Sequence, residues 1–341
     1  MSGPAPSTRR PPPWRVVLAF AIGIVLLALA VRQVDWAQVL QALRGVSPLW
    51  LVGGAAGFAA THVMLALRWR ALVESDEPIP VADAFDFVMI GAAAGLVLPA
   101  RLNDVARAVA AGRYHALSAS RLLGTIVVER LLDVVAILGF GVALSALMRI
   151  PPFVQGALTT LFAAAVAATV VLWLGENGPL GMIARGVARW RGPLSRTLPV
   201  FMRFLAGVGV MRQPRRLPVA LGAAIGAWLC SAVAATCNVA AFGFDVPWYA
   251  GAFVVLVINL GGIIPAPPAG VGVYHYLAML ALSPWVEDSS AAFAFALVAH
   301  ASSFASTLVL GSASLARKGM SLAGLRRMAA AGADAADGRH G

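Results

Sequence analysis

Apolar residues arrive in long, nearly unbroken runs separated by short arginine-bearing stretches, a pattern that predicts bilayer-crossing helices rather than alternating strands or one-sided surface helices. Val16–Val31, Leu49–Leu67, Leu122–Met148, Ala157–Leu174, Leu217–Phe244 and Ala291–Leu315 are the six runs long enough to cross hydrocarbon about 30 Å thick. Two further apolar stretches are interrupted. Phe85–Leu98 is short and ends at Pro99, and Ala250–Ile264 runs into PAPPAGVG. Each reads as a broken or re-entrant helix, because proline removes a backbone donor and glycine tolerates angles a helix does not use. The fold class expected is an all-α polytopic membrane protein with six full spans plus two broken segments.

Composition agrees with the pattern. With 60% apolar residues, 12% charged residues and a mean hydropathy of +0.82, the 341-residue chain has too little polar surface to cover a soluble globule. Cys230 and Cys237, seven apart in one apolar run, suit packing better than a disulfide or a metal site. The net charge of +11 is almost all arginine, Lys318 being the only lysine, and the positions of the arginines explain it. With the basic N-terminus placed in the cytoplasm, Arg68, Arg70, Arg101, Arg107, Arg113 and Arg121 share that side, as do the eight arginines of 175–216 and the tail beyond Leu315. The opposite loops carry few bases. Topology therefore accounts for the charge, and nucleic acid drops out as a partner.

The same assignment exposes an inverted repeat. Each half reads span, span, broken segment, span, and the broken segments enter from opposite sides, with Gly95 four residues before Pro99 and Gly261 four before Pro265. Paired interrupted segments in inverted halves point to a transport site near the midplane, whereas the plain alternative is that Gly and Pro are simply common in membrane helices. The expected organisation is a disordered basic tail over 1–15, a first half over 16–148, a second half over 149–316 containing the basic connector 175–216, and a disordered tail over 317–341.

Several residues could carry chemistry. VVERLLDVV sets Glu129, Arg130 and Asp133 well inside an apolar helix, where each charge costs roughly 2.5–3.5 kcal/mol and needs a partner or a watery cavity. They read either as an ion-pair cluster that locks the bundle or as charge-balancing, proton-carrying groups, with Arg101 or Arg107 as partners for both roles. After Pro99, Arg101 and Arg107 with Asp104 form a cradle suited to a phosphate at a helix start, against the plainer reading of arginines that set topology. In the second segment Pro265, Pro268, Gly270 and Gly272 predict irregular backbone lining a cavity, and His275 is a candidate coupling group or a packing histidine. His62, Asn238, Asn259 and His300 rank lower, since interhelical hydrogen bonds explain them. No soluble catalytic motif, metal-spaced cluster or cofactor signature is present, so no enzyme activity and no cofactor are expected.

The ordered motifs LRWRALV, LPARLNDVARA, VVERLLDVV and IIPAPPAGVGVYHYLAMLAL resemble the lysylphosphatidylglycerol synthase transmembrane, or flippase-like, family over nearly the whole chain. The resemblance implies the lipid-translocating part of such proteins in a free-standing form without the aminoacyl transferase. Glu129, Arg130 and Asp133 match the family pattern. Asn103 and Asp104 stand where the family has Gly-Glu, and His275 stands where it has Glu. The function expected is a flippase of the cell membrane, with both termini cytoplasmic, moving a polar- or anionic-headed lipid: a phospholipid, a polyprenyl-linked lipid or a hopanoid-type lipid. Arg101 and Arg107 would bind the head group, Asp104, Glu129, Arg130, Asp133 and His275 would handle charge or protons, and Gly95, Pro99, Gly261, Pro265, Pro268, Gly270 and Gly272 would form the gates. The alternatives are an intramembrane transferase acting on a lipid-linked substrate, or a scaffold for a lipid-synthesis enzyme.

Overall fold

The structure, a computed structural model, describes residues 13–73, 78–97, 102–115, 117–177, 215–321 and 324. Its helices, in chain order, are α1 (Pro13–Val31), α2 (Trp36–Arg44), α3 (Pro48–Leu72), α4 (Val81–Gly95), α5 (Leu102–Tyr114), α6 (Ala119–Ser145), α7 (Pro152–Asn177), α8 (Arg216–Ala240), α9 (Ala250–Leu260), α10 (Val273–Leu282) and α11 (Ser289–Arg317). Among the described residues there is no strand.

The starts of these helices follow from local chemistry. Pro48 opens α3 at a position where a missing N–H costs nothing. Asp35 caps α2 by accepting the Ala37 N–H at 2.8 Å, and Asp288 caps α11 by accepting that of Ser290 at 2.8 Å. The two caps are joined, because the Asp35 N–H donates to the Ser290 hydroxyl at 3.0 Å.

Among the described residues three helices are long and apolar enough to cross a membrane: α3, α8 and α11. The residues α1 and α2 offer pass that test only as one bent pair, turned by 84°. Of the other expected spans, α6 forms a 27-residue helix that carries the charged cluster, and the described apolar part of α7 is the shorter stretch Pro152–Ala167. Exposed Val52, Val142, Val233 and Val309 give the outer faces of α3, α6, α8 and α11 an apolar surface suited to lipid.

Packing is close where side chains are small. α3 lies along α8, and a Cβ added at Gly57 would sit 2.9 Å from the Ala234 Cβ, so only glycine allows the two backbones this near. α4 packs against α11, α9 against α6 and α8, and α10 against α1 and α11. A core of Phe253, Leu256, Leu277, Leu282 and Phe295 fills the space between α9, α10 and α11. The order of elements repeats: a long helix (α3), two short ones across an interruption (α4 and α5) and a long one (α6) are matched by α8, then α9 and α10, then α11.

Two of the shifted boundaries bear on the charges. The helix read as ending at Leu67 continues to Leu72, so Arg68 and Arg70 are helical rather than the start of a loop. Its apolar run stops early because the last turn exchanges lipid-facing residues for buried charge. At the other end, Arg317 and Lys318, placed in the C-terminal tail, are part of the fold. Arg317 donates to Asp86 of α4 through Nε at 3.0 Å and through Nη2, and Lys318 reaches Asp83 at 2.6 Å. Asp86 is 3% exposed, so Asp86→Asn should cost about 1–3 kcal/mol by leaving polar groups short of partners. Thermal unfolding of the purified protein checks this; an unchanged midpoint would mean that the clasp contributes nothing to stability.

Candidate functional site

Six charged side chains from three helices form one continuous network. α6 supplies Glu129, Arg130 and Asp133, α5 supplies Asp104 and Arg107, and α3 supplies Arg68. Because Glu129 and Asp133 are one helical turn apart, they share a face of α6. Arg107 grips Glu129 with both terminal nitrogens, at 2.7 and 3.2 Å. Arg68 bridges the same face, donating to Glu129 Oε2 at 3.2 Å and to Asp133. Arg130 leaves α6 on the exposed side and donates to Asp133 at 3.2 Å and to Asp104 at 3.2 and 3.3 Å.

The result is an alternating chain of Asp104, Arg130, Asp133, Arg68, Glu129 and Arg107, with equal numbers of positive and negative groups. Such compensation is what makes a buried Glu129, 2% exposed, tolerable. Arg107 also lies over the Trp69 ring, with its guanidinium carbon 5.8 Å from the centroid. The pairing is incomplete in one respect: among the described residues the buried Nε–H groups of Arg68 and Arg107 have no partner. Buried donors of this kind call for an acceptor from water or a ligand.

The network lines a cavity of about 550 Å³. Its remaining polar wall includes Thr61 and His62 of α3, Asn103 of α5, Ser231 of α8 and Asn259 of α9, and Gly262 lies at the edge of the second interruption. Elements from both halves of the chain therefore enclose one space. Thr61 and Ser231 face each other across α3 and α8 at 3.3 Å. The His62 Nδ1 is 2.9 Å from the Phe58 carbonyl, with the tautomer set by that contact.

Sequence-predicted residues divide into three groups. Asp104, Arg107, Glu129, Arg130 and Asp133 come together as one site. Pro99 and Arg101 lie outside the described residues. Of the second segment Gly262 reaches the cavity wall, while its predicted site residues do not line that wall: a short 3₁₀ turn at Gly261–Ile263 follows α9, exposed Pro265 comes next, and Pro268–Gly270 makes another turn. Gly270 and Gly272 have φ of +71° and +86°, as irregular backbone requires, and Ala269 joins them at +60°. Its carbonyl lies 2.9 Å from His300 Nε2. His275 caps α10, its Nδ1 accepting the Gly272 N–H at 3.4 Å, and its ring packs against His300 and Phe293. Gly95, the last residue of α4, is in ordinary contact distance of Asn103, and Gly261 fits against Leu277.

Arg68 is the residue that sequence reasoning missed as a site member. It was legible only as a topology marker beside Arg70, because the apolar run ends at Leu67. A signal was available: Glu129 and Asp133 together demand more positive charge than one arginine supplies.

An all-helical body with apolar outer faces and a charge-lined internal cavity defines an integral membrane protein. The chain belongs to the family described as lysylphosphatidylglycerol synthase TM region, whose model matches residues 16–311. The match points to a lipid-related membrane function. No curated protein and no solved structure matches the chain.

Proposed function

We propose that this protein is a lipid transporter of the cytoplasmic membrane, with both termini in the cytoplasm, that moves a polar- or anionic-headed lipid between leaflets without altering it covalently. The observation that carries this reading is the cavity of about 550 Å³ whose wall holds the buried Arg68, Arg107 and Glu129, the Nε–H of each arginine having no acceptor among the described residues. Ionisable groups inside a membrane bundle that face a cavity characteristically mark a substrate or ion path. The repeated order of long, broken and long helices supports two inverted halves, as does the reciprocal packing of α4 on α11 and of α9 on α6.

In this mechanism the head group enters among Asn103, Thr61 and Ser231 and offers oxygen acceptors to Arg107 and Arg68. It competes with Glu129 for those guanidiniums, and the released carboxylate takes a proton or passes to the other arginine. The charge chain thus has two arrangements of similar energy, which is what alternating exposure to the two leaflets needs. The segments interrupted in sequence at Gly95–Pro99 and Gly261–Pro268 act as the gates, and Arg101 binds the head group with Arg107.

Reconstitution into liposomes with leaflet-specific quenching of a labelled lipid tests the reading. Arg130 has a half-exposed side chain, so Arg130→Gln should cost at most about 1 kcal/mol of stability. The same variant should slow transport about tenfold, equivalent to about 1.4 kcal/mol on the barrier. Transport that is absent in the unsubstituted protein, with product formed from a lipid-linked donor, would replace this reading by a transferase. Neither activity would leave a scaffold.

A further inference from the structure

A second cleft, of about 580 Å³, lies between the C-terminal turns of α3 and the N-terminal turns of α8. No residue lines both cavities. Thr61, Leu65 and Arg68 of α3 face the charged network, whereas Met64, Leu67 and Arg70 face this cleft. Two positions along a helix are about 200° apart around its axis, so Arg68 and Arg70 point to opposite sides. Arg68 is buried and ion-paired; Arg70 is exposed.

The cleft is amphipathic along its length. Arg70, Arg215 and Arg216 ring one end, and among the described residues lining it there is no acid. Arg70 donates through Nε to the Ile79 carbonyl at 2.7 Å, and Arg216 donates through Nη1 to the Val73 carbonyl at 2.9 Å. Each bond spends one donor on orienting its guanidinium. None of the three arginines forms an ion pair with a described residue. Away from this ring, successive turns of α3 present Leu67 and Met64, and those of α8 present Val219 and Gly222. A Cβ at Gly222 would meet nothing within 4 Å, so the slot is open there.

The geometry points to a binding site for one anionic phospholipid, its phosphodiester held by Arg70, Arg215 and Arg216 and one acyl chain laid in the slot past Gly222. Planar guanidiniums match phosphate oxygens in pairs, and the apolar floor has no use for free phosphate. Basic pockets between the ends of membrane helices are where anionic head groups bind. Because the cleft joins α3 to α8, the bound lipid clamps the two halves of the chain at one end. The site does not depend on what the central cavity carries.

Native mass spectrometry of the full-length protein tests this with dioleoylphosphatidylglycerol, dioleoylphosphatidylcholine and inorganic phosphate as separate probes. The glycerol lipid should be retained about tenfold better than the choline lipid, and it should raise the unfolding temperature. Replacing all three arginines with glutamine should erase the preference, and Gly222→Leu should weaken both lipids by blocking the slot. The double variant Arg107→Met with Glu129→Gln, which empties the central cavity of one charge of each sign, should leave the preference intact. Equal retention of the two lipids, a preference that vanishes in that double variant instead, or protection by inorganic phosphate alone would each overturn the assignment. Glu74, Asp76 and Glu77 follow Val73 in sequence, and replacing them with glutamine and asparagine gives a further variant. A lipid preference that appears only after their neutralisation overturns it too.

Discussion

Glu129→Gln is expected to lower stability by about 3–5 kcal/mol, because it strips the shared anion from two buried arginines at once. Among the described acids Arg107 is bonded to Glu129 alone, whereas Arg68 keeps Asp133. The larger part of the loss should therefore come from the stranded Arg107 cation. Adding Arg107→Met should recover much of it, since the double variant removes one charge of each sign and leaves Arg68 paired. Unfolding midpoints of the two single variants and the double give the coupling directly. Transport should stay low in the double variant even where stability returns, because the arginine proposed to meet the head group is gone. Additive losses would mean that the bidentate pair is not energetically coupled. Recovered transport together with recovered stability would reduce the cluster to a staple.

Gly272→Ala is the second large effect expected. Gly272 adopts φ +86° and ψ −58°, the strained γ-turn region, which a side chain disfavours by about 1–3 kcal/mol. The added Cβ would also lie 2.0 Å from the Gly23 carbonyl oxygen and 2.7 Å from its carbon, both backbone atoms of α1. No rotamer relieves that contact, so α1 must move away, at a further cost of about 1–3 kcal/mol. Gly270→Ala is the matched control. It has positive φ of +71° but nothing within 4 Å of the added Cβ, so only the conformational part is lost. Comparing the two variants by thermal unfolding isolates the docking of α1 onto the second interruption. Equal losses would show that this docking adds no stability.

Helical class and membrane residence were legible along the chain because both depend on local properties. Hydrophobic run length sets what a segment can span, and Pro and Gly mark where a helix must stop. The interruptions at Gly95 and at Gly261 were visible for that reason, and so were Glu129 and Asp133, since charge inside an apolar run stands out without any knowledge of its partners. The helix ends were less legible. Leu67 closes an apolar run but not α3, which continues to Leu72 because its last turn is buried against protein rather than facing lipid.

Partnership is what only the tertiary structure decided. Arg68 and Arg70 are two residues apart and chemically identical, yet one closes a buried charge network and the other rims a separate cleft. Arg107 turned out to be gripped by Glu129, and His275 to cap a helix away from the charges. Which cation meets which anion depends on how α5 folds back on α6 and on the approach to both of α3, which lies well before them in sequence. Local composition determined that charges had to be buried in this bundle. The packing of distant helices determined how those charges are neutralised and which of their donors are left for a ligand.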